Sequence, residues 1–142
     1  METQAILSIG STDVTPEEIE RIMGAKAHRV YRKNMTPDST SPDFHPIHSA
    51  LYAAAEPSTG VTAQIEKIVQ FAEDAKEGIR RLREMNAGVA VHCICEVTHE
   101  DSLDFASDLL SRMGVLGIEF VFNLHCVDHE VADAVAFITP AE

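Results

Sequence analysis

At 142 residues the chain can hide about two-thirds of the surface its unfolded form exposes, so an ordinary apolar core suffices and neither metal nor disulfides are needed for folding. A hydrophobic share of 45% beside 24% charged residues excludes a disordered chain, and a net charge of -12 excludes nonspecific attachment to nucleic acid or anionic membranes, which needs a basic patch. Three cysteines, the absence of an 18-residue apolar run and the polar residues that follow Met1 predict one soluble domain over residues 1–142, unprocessed at its start, in a reducing cytoplasm.

Ala5 to Ile9 reads as a first strand, followed by a Gly10-Ser11-Thr12-Asp13 turn. Thr15-Pro16-Glu17-Glu18 then combines a Thr N-cap, Pro at the first helical position and Glu at the third position to close a capping box. Ile19, Ile22 and Met23 give this short helix an apolar stripe, and Gly24 ends it in the left-handed conformation. Ala27 to Arg32 is a second strand, too polar to be buried on both sides and so placed at an edge. Residues 33–46 carry Pro37, Pro42 and Pro46 among polar residues and predict a long loop.

Ile47 to Ala55 is a third strand of mostly small residues. After the Pro57-Ser58-Thr59-Gly60 break, apolar residues at spacings of three and four from Ile65 to Met85 predict one long helix over Thr62 to Met85. Gly78 inside it marks a bend or a close contact with the sheet. The run Gly88 to Val97, GVAVHCICEV, is the densest strand signal: Val89, Val91, Cys93, Cys95 and Val97 share an apolar face, whereas Ala90, His92, Ile94 and Glu96 share a mixed one. Asp101 or Ser102 then caps a third helix with Leu103, Ala106, Leu109, Leu110 and Met113 inward and Gly114 and Gly117 at its end. Ile118 to Cys126 closes the core, with Ile118, Phe120, Phe122, Leu124 and Cys126 on one face and Glu119, Val121, Asn123 and His125 on the other. The extension 127–142 retains enough apolar residues to pack as a short helix or an extra strand.

This order predicts an α+β fold: a ferredoxin-like β-α-β-β-α-β core over about residues 5–126, extended by a further α-β unit, with a mostly antiparallel sheet and helices on one face. The other face stays open.

Ile6-Leu7-Ser8-Ile9-Gly10, followed by Val14-Thr15-Pro16-Glu17-Glu18-Ile19 and Met23-Gly24, resembles the start of the bacterial family termed domain of unknown function 4279, in which a short strand leads to a "TPEEI...LG" helix. The later helix, strand, helix and strand fit the same layout, although Ala50, Leu51 and Tyr52 stand where that family usually carries a tryptophan. The resemblance implies a fold and a bacterial cytoplasmic setting. It carries over no activity and no catalytic residue.

Zinc-type side chains occur in two stretches, His92, Cys93, Cys95, His99 and His125, Cys126, His129, but a strand would split His92 from the two thiols that follow it. No metal or cofactor is therefore assigned, and the cysteines read as small buried hydrophobes. A narrower cluster is possible on the mixed face: His92 and Glu96 stand near Glu119 and His125 if their strands are neighbours, with the positions of His28 and His48 left to strand register. Gly10-Ser11-Thr12 is a weak anion site before the first helix.

With no catalytic signature, the chain reads as a non-enzymatic binding or protein-interaction domain that forms a homodimer through the open face, the ligand-binding candidates being His92, Glu96, Glu119 and His125. An acidic, immunity-type partner of a basic protein is a second form of that reading. The alternative is a metal-assisted hydrolase using His92, His125 and Glu96.

Overall fold

Alternation of Ala5, Leu7 and Ile9 puts three apolar side chains on one side of strand β1 (Thr3–Ser11), and all three are fully buried. In the computed structural model, which describes residues 3–33, 45–54, 60–97 and 104–126, this strand is the middle of a five-stranded sheet. The other elements are α1 (Pro16–Met23), β2 (Arg29–Tyr31), β3 (His48–Ala53), α2 (Val61–Asp74), α3 (Lys76–Glu84), β4 (Gly88–Val97), α4 (Ser107–Leu116) and β5 (Glu119–Cys126).

The strands lie in the order β2-β3-β1-β4-β5. The β2–β3, β3–β1 and β1–β4 pairs are antiparallel, and β4–β5 is parallel. A parallel pair requires a crossover, and α4 lies in that connection. The protein is thus α+β with a mixed, largely antiparallel sheet. The expected position of the second strand at an edge is correct.

One face of the sheet carries the core. Leu7, Ile9, Tyr52, Val91, Cys93 and Cys95 meet Ile19 of α1, Ile65 and Val69 of α2, Ile79 and Leu82 of α3, and Leu109 and Met113 of α4. Where β3 ends beside β1, a helix side chain continues its pairing. Gln64 Oε1 accepts from the Ala5 amide at 2.9 Å, and Gln64 Nε2 donates to the Thr3 carbonyl at 3.0 Å, so a buried amide satisfies backbone groups that would otherwise be costly orphans.

The caps of α1 are as expected: Thr15 Oγ1 accepts from the Glu18 amide at 3.3 Å, and Gly24 adopts φ 71°. The capping box does not close, because the Glu18 carboxylate turns to Arg21 instead of back to Thr15.

The single long helix is a misreading. It is divided at Ala75 (φ -105°, ψ 20°) into α2, which packs on β1, and α3, which packs on α1. A continuous apolar stripe cannot report such a break, since both halves bury the same face. Gly78 makes a close contact, but with α1 and not the sheet: a Cβ there would lie 2.5 Å from the Ile22 carbonyl oxygen.

The start of α4 also differs. Its N-cap is Ala106 with no side-chain cap, Gly114 lies within the helix, and Leu110 is exposed, because one face of a short helix at the sheet's end is enough to bury Leu109 and Met113. The proposed caps Asp101 and Ser102, most of the loop 33–46 and the extension 127–142 lie outside the described residues.

Candidate functional site

The sheet's second face is assembled by register. Its central rungs read Arg29–Leu51–Ser8–Ala90–Glu119, then Ala53–Ile6–His92–Val121, then Gln4–Ile94–Asn123, and last Glu96–His125. Period-two alternation places all these side chains opposite the core. Ile6, Leu51, His92, Ile94 and Val121 are half-buried in the middle, whereas Arg29, Gln4, Glu96, Glu119, Asn123 and His125 are exposed around them. The face has an apolar centre and a charged perimeter.

All four residues expected on this face are there, and β4 and β5 are neighbours. They do not converge. Glu96 and His125 are register partners, but Glu119 pairs with Ala90 and His92 with Val121. Glu119 and His125 are six residues apart on β5, about 20 Å at the rise of an extended strand. Among the described residues, no group of three His, Cys, Asp or Glu side chains is arranged to hold a metal ion.

His28 and His48 do not join the face. Each is occupied at Nδ1, His28 accepting from the Ala53 amide at 3.2 Å and His48 from the Lys33 amide at 3.0 Å. The missed residue is Arg29. It sits on the rung of Glu119 at the other edge, a placement that depends on four successive strand pairings no local pattern contains.

On the covered face Cys93 and Cys95 are fully buried, with their sulfurs 3.5 Å apart. Burial, reinforced by the Cys95 thiol, pushes the Cys93 thiol up to about 12, which suits a packing role and opposes a nucleophilic one. His99 and His129 lie outside the described residues. The turn before α1 has little left to offer an anion, since Ser11 Oγ accepts from the amides of Asp13 at 3.1 Å and Val14 at 3.0 Å.

These features define a class: an α+β domain with a helix-covered sheet face and a second face on which no described helix packs. The chain belongs to the family of the domain of unknown function DUF4279, whose model matches residues 1–127, as the Thr15-Pro16-Glu17-Glu18 helix start and its flanking strand suggested. No curated protein and no solved structure matches it. No helix among the described residues is long and apolar enough to cross a membrane.

Proposed function

We propose that this chain is a non-enzymatic interaction domain that pairs with a second copy of itself through the open sheet face, and that its first four strands form a ferredoxin-like unit. The β-α-β-β-α-β order and the antiparallel run β2-β3-β1-β4 support the second part, α2 and α3 together filling the place of one helix.

The carrying observation for self-pairing is the rung Arg29–Leu51–Ser8–Ala90–Glu119, with a cation at one end, a carboxylate at the other and β1 in the middle. A two-fold axis along β1 exchanges the sheet's two edges, so Arg29 of each copy meets Glu119 of the other while the half-buried centres pack together. Stacked sheets align their strands within about 30°, which keeps the rungs nearly in line. A two-fold interface needs a self-complementary patch of this kind, with an apolar centre and a polar rim. Arg29 donates to the Tyr31 hydroxyl at 3.1 Å and, among the described residues, is in no ion pair.

Sedimentation of the full chain at micromolar concentrations tests this. A dimer is expected, with Arg29→Glu weakening association at least tenfold and a second change, Glu119→Arg, restoring it. A monomer at high micromolar concentration, or a charge-swapped pair no tighter than the single variant, would overturn the proposal.

A further inference from the structure

On the helix side of the sheet, away from the open face, the α1–β2 connection, the end of β3 and α2 line a half-open cavity of about 200 Å³. Its apolar wall comes from Tyr52, Ile68 and Phe71, the Tyr52 and Phe71 rings being 5.0 Å apart at 34°. Its polar groups are Lys26, His28 and Lys67.

The wall is held firmly. The Tyr52 hydroxyl donates to the Ala25 carbonyl at 2.8 Å, and the Ala53 amide donates to His28 Nδ1 at 3.2 Å. The second bond leaves the imidazole proton on Nε2, so His28 can only donate further. Both lysines are donors as well, and among the described residues neither is in an ion pair. Arg29, Lys33, Lys76, Arg81 and Arg83 are likewise in no ion pair among the described residues, whereas Arg21, Arg32, Arg80 and Arg112 pair with glutamates; what sets Lys26 and Lys67 apart is that both line this one pocket. Glu20, whose charge acts on Tyr52, accepts from the Ala27 amide at 2.8 Å.

Donors and cations around an aromatic and aliphatic wall select a ligand with the opposite inventory, an acceptor-only anionic head on an apolar body. At about 200 Å³ the cavity lies below the roughly 300–1,000 Å³ of drug-sized ligand pockets, which favours a small body. We infer that this cavity binds a small monocarboxylate with an aryl or short acyl body, the carboxylate between Lys26 and Lys67 and the body against Phe71 and Tyr52. This site is independent of self-pairing.

The test is titration of the ¹⁵N-labelled full chain with benzoate and hexanoate, and with their neutral counterparts benzamide and hexanamide, followed by amide NMR shifts. At least one carboxylate is expected to move the signals of Lys26, Ala53, Ala54 and Phe71, to bind at least tenfold more tightly than its amide, and to lose at least tenfold in Lys26→Gln/Lys67→Gln. No response to either carboxylate, shifts elsewhere only, or equal binding of acid and amide would overturn it. The amide comparison uses unaltered protein, so its result does not depend on how the variant folds.

Discussion

Ile6 and Leu7 are adjacent in the chain and live in different environments. Leu7 is fully buried beneath the helices, whereas Ile6, one peptide further back, is half-buried on the open face beside His92 and Ala53. The same contrast runs along β4, where Val91, Cys93 and Cys95 are sealed while His92 and Ile94 are only half-covered. The pleat separates the two environments, but the helices create the difference. A residue's apolarity does not say what covers it.

Truncations at Leu7 and Ile6 separate the two environments most directly. Leu7→Ala should cost about 3 kcal/mol of unfolding free energy by denaturant melts, from lost burial plus the cavity left in a packed core, while Ile6→Ala in the monomer should cost about 1 kcal/mol or less. Equal losses would mean the open face is as well packed as the covered one. If Ile6→Ala also weakens association, the apolar centre of that face is part of the self-pairing surface.

Gln64→Leu keeps the helix and most of the volume but leaves the Ala5 amide and the Thr3 carbonyl unpaired inside the covered layer. A loss of about 2 kcal/mol is expected, with faster hydrogen exchange at Ala5. Unchanged stability would show that the end of β1 is not held from the helix side.

Gly78→Ala has a sign that decides between local and tertiary control. In an isolated helix alanine is favoured by about 1 kcal/mol, yet here the new Cβ would press on the Ile22 backbone, so a net loss of about 1.5 kcal/mol is expected. Stabilisation would mean that α3 can move off α1 freely.

The smallest effect concerns the thiols. Cys93 has its folded value raised from 9.0 to about 12, so the neutral thiol's contribution to stability is fully present below pH 9 and is lost as pH rises towards 12. Melts between pH 8 and 10 should show a shallow decline that Cys93→Ala removes. Native protein should also resist thiol alkylation at Cys93 and Cys95, as read by mass spectrometry, until it unfolds.

Much of the architecture was legible because it depends on short-range periodicity and end chemistry. The start of α1 was readable from Thr15-Pro16 and its end from Gly24, and the two faces of β4 from alternation, since these features are set by residues within a few positions of one another. Phe122 and Leu124 limit that logic: their alternation reads as core, yet they are 38% and 53% exposed, because β5 is the last described strand of the sheet. The break at Ala75 was invisible because burial of one stripe is indifferent to a bend along it. Of the candidate site, the open-face membership of His92, Glu96, Glu119 and His125 was legible, but their spacing was not.

Local sterics and hydrophobic periodicity account for the α+β class, for which side chains of each strand share a face, and for the order of elements apart from the division of the long helix at Ala75. That β5 lies parallel to β4, that Arg29 and Glu119 end one rung, and that Lys26 and Lys67 line one cavity are set by tertiary packing alone. Those positions are far apart in the chain, and long-range pairing is selected by the packing energy of the whole sheet and its helices, which no local run of residues encodes.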